Sequence, residues 1–225
     1  MLAAAALLAL PGCGSDDEPS ATTAPEDGGG VVVAALGDSI SAGNPAYDPD
    51  PGRRAALGFG DDERSQYEFW AERADPRLSF RNCGVFGQRT DEIAPRLDAC
   101  AEGAEALIVQ GGINDIAQGR PLPAAAADLR AMAERGLDLG LDVLLVDVLP
   151  WNNGHPAADR PIAELNRRIE AIGRDLGVDV IGFHDALEDP GRPGVMAPRL
   201  TADGDHPSIA GYRLLGARVA DALER

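Results

Sequence analysis

The sequence predicts a three-layer α/β/α sandwich on a five-stranded parallel sheet, and three observations carry that expectation. Short runs rich in Val, Ile and Leu recur along the chain. Segments of helical period separate them. The chain's 225 residues, 44% hydrophobic and 25% charged, suit one domain able to bury a substantial core. The first run, residues 31–36, is continuously apolar with glycine on both sides, as a strand covered on both faces should be. Further runs follow at 78–83, 106–110, 143–149 and 178–181, and helical periods at 66–74, 90–99, 124–138, 159–176 and 208–223. Strands alternating with helices make βαβ units and therefore a parallel sheet. The stretch 44–64 breaks the alternation. It carries Pro45, Pro49, Pro51, Gly52, Gly58 and Gly60 and reads as a loop. A loop that long in a compact domain is usually functional or disordered; this one starts five residues after Ser39, at the rim of any site there, and either shapes the acyl or alcohol pocket or is a solvated insertion without contacts to substrate.

Charge narrows the partners. There are 37 acidic and 20 basic residues, all 20 of them Arg, for a net charge of −17. That balance argues against nucleic acid, which needs a basic footprint. It favours solubility and repels anionic substrates at long range. Arg without Lys, beside abundant Ala and Gly, reads as high-GC codon usage rather than as anion binding.

The N-terminus reads as a targeting segment. Residues 2–10 are wholly apolar but only nine long, too short to span a bilayer and suited to the core of a signal peptide, although no basic leader precedes them. Leu10-Pro11-Gly12-Cys13 resembles the lipobox of bacterial lipoproteins, which implies lipidation of Cys13 and a membrane anchor. The alternative is an ordinary secretory signal with an incidental cysteine. The segment 14–30, rich in Asp, Glu, Ser, Thr, Pro and Gly, lacks an apolar period and reads as a disordered tether. The expected organisation is signal peptide 1–13, tether 14–30 and one domain over 31–225. The expected location is extracytoplasmic: the outer face of the membrane, or secreted. Cys83 and Cys100 then remain as an even pair in an oxidising compartment, seventeen positions apart, and a bridge between them closes a loop worth about 3 kcal/mol in the chain-entropy model. Two free buried thiols are the alternative.

Chemistry is carried by residues at strand and helix edges. Gly37-Asp38-Ser39-Ile40 directly follows the first strand, and Asp203-Gly204-Asp205-His206-Pro207 precedes the last helix. A serine hydroxyl needs an adjacent base, and that base needs a group to fix its tautomer. Three-residue spacing in a turn lets Asp203 reach Nδ1 of His206 and leaves Nε2 for Ser39. Pro207 suits a first helical position, where its missing N–H is no loss. Between these blocks lie Asn82-Cys83-Gly84-Val85-Phe86-Gly87 and Gly112-Ile113-Asn114-Asp115. The four blocks, in this order over roughly 31–223, resemble the GDSL or SGNH hydrolase superfamily.

The resemblance implies a flavodoxin-like sheet with ligands at the C-terminal ends of the strands. It also implies a nucleophile Ser39, a base His206 oriented by Asp203, and an oxyanion hole from the Ser39 and Gly87 backbone N–H groups and the Asn114 amide. The activity it implies is a serine esterase working through an acyl-enzyme on acetylated carbohydrate, lysophospholipid or small acyl esters, as a monomer without cofactor. An O-acyltransferase of the same fold and a non-catalytic surface binding lipoprotein are the competing readings. No CxxC, HExxH or EF-hand loop is present, so no metal is expected, and the absence of G-x-S-x-G excludes the α/β-hydrolase elbow. His184 with Asp185 is a rival dyad disfavoured because adjacent side chains point apart. Asp205 is the substitute should Asp203 be misplaced. Trp151 and His155 either line the substrate cleft or cover the domain edge. Asp38 is expected to order the nucleophile loop, and Asp115 to cap a turn beginning at Ile116.

Overall fold

The computed structural model describes residues 30–43, 62–151 and 155–224. Five strands, β1 (Val31–Gly37), β2 (Leu78–Gly84), β3 (Ala106–Val109), β4 (Asp142–Val146) and β5 (Asp179–Ile181), form one sheet in the order β2-β1-β3-β4-β5. Every neighbouring pair is parallel. The chain leaves β1 first toward β2 and later toward β3. Such a reversal opens a crevice beyond the carboxyl end of β1.

Successive strand residues point to opposite faces, and here both faces are core. Val33, Ala35, Ile108 and Leu144 pack with Tyr67, Phe183, Tyr212 and Leu215 on one side. Ala34, Leu36, Leu107, Val109 and Leu145 pack with Ile93, Leu129, Met132, Leu165 and Ile169 on the other. The first layer comes from helices α2 (Tyr67–Ala74) and α9 (Ile209–Leu223), and the second from α6 (Leu122–Asp138) and α7 (Asp159–Leu176). Five shorter helices complete the set: α1 (Ser39–Ala42), α3 (Thr90–Ile93), α4 (Leu97–Ala101), α5 (Ile113–Ala117) and α8 (Phe183–Leu187). A small antiparallel hairpin, β6 (Glu188–Asp189) and β7 (Arg192–Met196), follows α8.

Five elements differ from the sequence expectation. The run 143–149 is strand only to Val146; the Asp147 N–H still donates to Ile181 O at 3.2 Å, and its Oδ1 accepts the N–H groups of Phe183 and His184 at 2.6 and 2.8 Å. The helix expected over 90–99 divides into α3, a 3-10 turn and α4 at Pro95, which has no N–H to continue it. Helices α5 and α8 and the hairpin are too short to show a period. Cys83 at the end of β2 and Cys100 in α4 form a disulfide with their Cα atoms 6.1 Å apart. The expected signal peptide with Cys13, the tether to residue 29, and the loop over 44–61 lie outside the described residues. The end of that loop is a 3-10 turn, Glu63–Ser65, capped by Asp62.

Candidate active site

Ser39 is the first residue of α1, which β1 delivers into the crevice. The Asp38 carboxylate caps this helix, accepting the Ile40 N–H at 2.9 Å. The helix is only four residues long, so its position depends on groups beneath it. Gln110 Oε1 accepts the Asp38 N–H and the Ser41 hydroxyl, each at 3.1 Å, and the Tyr67 hydroxyl lies 3.1 Å from Ser41 Oγ. Asn82 and Gln66 donate their amides to the carbonyls of Ser41 and Ala42 at 2.6 and 3.0 Å. A Cβ on Gly84 would stand 2.0 Å from Ala42 N, so only glycine lets β2 approach the nucleophile helix this closely. Arg96, half-buried, donates to the carbonyls of Gly37 and Cys83 and to Gln88, fastening the ends of β1 and β2 together. Ser39 itself is 7% exposed.

The imidazole arrives from a turn just before α9. Thr201 pairs with Pro207 across it, and within it Asp203 Oδ1 accepts the N–H groups of Asp205 and His206 at 2.9 and 2.7 Å. Asp203 Oδ2 lies 2.9 Å from His206 Nδ1, and His206 Nε2 lies 3.1 Å from Ser39 Oγ. Partial burial pushes the Asp203 carboxyl up, but the His206 side chain, the two backbone N–H groups and the His206 charge outweigh it and hold the pKa at about 2. The structure thus brings Ser39, His206 and Asp203, expected from opposite ends of the domain, into one hydrogen-bonded line.

Two further loops meet there. Gly87, after β2, has φ +75°, and an added Cβ would meet nothing within 4 Å. The torsion, rather than crowding, therefore asks for glycine. Asn114 is the second residue of α5, and its amide donates to Gln88 O at 3.0 Å and to Asp38 Oδ2 at 3.3 Å, tying the Gly87 loop to the nucleophile cap. Among the described residues, no acceptor meets the backbone N–H of Ser39 or Gly87. Asp38 is fully buried. Desolvation pushes its pKa up to about 6, opposed by the Ile40 N–H, the Gln110 hydrogen bond and the His206 charge.

The profile of the GDSL-like lipase/acylhydrolase family matches residues 35–214, a span that takes in all four meeting loops. The chain belongs to that family. Its fold recurs in solved structures. A chain from Desulfitobacterium hafniense DCB-2 assigned to the lipolytic G-D-S-L family superposes with a TM-score of 0.71 at 22% identity, covering 85% of this chain and 99% of that one. An acetyl-xylooligosaccharide esterase variant from Geobacillus stearmophilus gives 0.68 at 17%, over 88% and 96%. The structure of TesA gives 0.64 at 23%, over 86% and 98%. At these identities the likeness is one of fold. None of the curated proteins matches the chain.

Around this GDSL-type site one residue, Asp115, stands differently from expectation. Asp115 caps no turn, because α5 already begins at Ile113. Its buried carboxylate instead accepts the Thr90 N–H and hydroxyl at 3.0 and 2.9 Å and pairs with Arg120 at 2.7 Å. His184 Nδ1 stays 3.7 Å from Asp185, too far for a hydrogen bond. His184, Asp185 and Glu188 are the group of described residues whose ligand atoms come within 4.8 Å of one another. Asp185 is largely exposed, and Glu188 already accepts the Gly194 N–H. Asp205 accepts the indole N–H of Trp151, whose ring stacks on His155 at 3.9 Å. Gln110 and Arg96 were not among the sequence candidates. A polar residue closing an apolar strand run was the one available signal for Gln110.

Proposed function

We propose that this protein is a serine esterase acting through an acyl-enzyme. The observation that carries the reading is the chain of contacts from Asp203 Oδ2 through His206 to Ser39 Oγ, at 2.9 and 3.1 Å. His206 Nε2 takes the hydroxyl proton as Ser39 Oγ attacks the ester carbonyl, and later returns it to the departing alcohol. Asp203, ionised over the ordinary pH range, holds the imidazole tautomer and balances the imidazolium that forms. The N–H groups of Ser39 and Gly87 receive the developing oxyanion. The Asn114 amide joins them by exchanging the Asp38 or Gln88 acceptor for the substrate oxygen. Water then repeats the cycle on the acyl-enzyme. The substrate class is a carboxylic ester: acetylated carbohydrate, lysophospholipid or a small acyl ester.

The setting proposed for this chemistry is the outer face of the cell membrane, with Cys13 lipidated and residues 14–30 as the tether. Two signals are needed for stable anchoring, and a diacylglyceryl cysteine supplies two chains. A fluorophosphonate probe tests the reading directly. It is expected to label Ser39 covalently, and Ser39→Ala is expected to lose both labelling and ester hydrolysis. Full activity in folded Ser39→Ala would end the proposal, and unchanged membrane partition of Cys13→Ser would end the anchor.

A further inference from the structure

Beside the catalytic groups lies a groove of about 310 Å³, lined by Ile116 and Ala117, by Trp151 and His155, and by Ala158 and Pro161 at the start of α7. Its side chains are hydrocarbon apart from the indole N–H of Trp151 and the imidazole of His155, while polar atoms make up about half of the surface it exposes. A sugar ring needs side-chain donors and acceptors placed for its hydroxyls, and here the indole N–H is engaged by Asp205 and His155 lies stacked on the indole, whereas the Ile, Ala and Pro side chains offer contact to an apolar chain. Two of its walls continue into the site. Ile116 and Ala117 follow Asn114 on α5. The other wall, Trp151, donates its indole N–H to the Asp205 carboxylate, and Asp205 sits inside the turn that holds Asp203 and His206, its own N–H on Asp203 Oδ1 at 2.9 Å. One face of the indole is occupied by His155, with the rings 23° from parallel.

Building on the serine-esterase reading, we propose that Trp151 is a positioning residue that couples the groove to the base. An apolar chain of the substrate seated against the indole fixes Trp151, and Trp151, through Asp205, fixes the Asp203–His206 turn. Binding energy collected away from the scissile bond is then expressed as alignment of the base, and so in kcat rather than only in KM. Small displacements suffice, since a shift of about 1 Å in a catalytic group can cost roughly 100-fold.

Steady-state kinetics on p-nitrophenyl esters from acetate to octanoate test this. In the unaltered protein kcat/KM is expected to climb by up to about 4-fold per methylene seated, with part of the climb in kcat. Trp151→Phe keeps an apolar wall but has no indole N–H. Its KM is expected still to fall with chain length while its kcat stays flat. Asp205→Asn retains a carbonyl oxygen for the indole and should keep the climb in kcat; Asp205→Ala retains none and should flatten it. A kcat that climbs in Trp151→Phe or Asp205→Ala as in the parent overturns the coupling, and so does an Asp205→Asn as flat as Asp205→Ala. Acetate hydrolysis with no dependence on chain length overturns it too, yet leaves the esterase reading standing. A parent protein inert toward every ester removes that reading and the coupling with it.

Discussion

Ser39 rides on a four-residue helix whose anchors, beyond its own cap, come from far along the chain: Gln110, Tyr67, Asn82 and Arg96. His206 is fastened by Asp203, with Thr201 Oγ1 donating to the His206 carbonyl, all within five residues. The first arrangement is mostly buried and the second only partly so, with Asp203 the more open of its two members. Geometry of the nucleophile is therefore a product of the finished sheet, while geometry of the base is set mainly within one turn, to which Trp151 adds one distant contact through Asp205. Damage to the first should reach stability and activity together. Damage to the second should reach activity alone.

The largest effect tests the second half of that contrast. His206→Ala is expected to lose kcat by roughly 10⁴-fold or more, and the Ser39→Ala, His206→Ala double variant little further, because members of a triad fail as a unit. Its melting temperature should stay within about 2 °C of the parent, as for a substitution outside the core. A large thermal loss there would erase the distinction drawn between the two sides. Asn114→Ala should cost about 10²- to 10³-fold in kcat, since two backbone donors remain for the oxyanion.

Gln110→Ala tests the first half. It leaves the Asp38 N–H without its acceptor at full burial, a loss of about 2 kcal/mol or roughly 4–8 °C by thermal melt, with kcat falling in parallel. Normal melting with lost activity would mean that the helix is held by something other than this network. The last effect falls on stability alone and is one of pH. Asp147, pushed up to about 6 by burial against the pull of the Phe183 and His184 N–H groups, keeps its proton longer in the folded than in the unfolded chain. Its contribution is therefore full below about pH 4 and fades as pH rises through about 6. Asp147→Asn keeps an oxygen for both N–H groups and cannot ionise, so it should flatten this part of the stability curve by roughly 1–3 kcal/mol. Parallel curves for parent and variant, by chemical denaturation between pH 4 and 7.5, would contradict it.

What the sequence disclosed follows the same division. The runs 31–36 and 106–110 were legible as strands because both faces are covered, which leaves no polar alternation to confuse the period. The Asp203–His206 arrangement was legible because its geometry is set by spacing within a turn. Gln110, marked only as a polar residue closing an apolar run, Arg96 and Asn82 give no local sign of what they touch. Their partners are 72, 59 and 41 positions away, and nothing in a local window announces a contact of that range. Asp115 was misread for the same reason. An acid near a helix start suggests a cap, and only the fold reveals Thr90 and Arg120 beside it. The hairpin after α8 hid behind Pro190, Gly191, Pro193 and Gly194, residues that read as loop wherever they occur.

The Cys83–Cys100 bridge encloses Gly87 and the whole donor loop within a covalent ring. In the extracytoplasmic setting proposed above the protein would share its surroundings with proteases, and an exposed glycine loop is a natural place for a cut. A single cleavage anywhere from residue 84 to residue 99 would break the backbone without releasing a fragment. The nicked chain would run as one species on a non-reducing gel and as two after reduction, and its severed ends would stay tethered to β2 and α4.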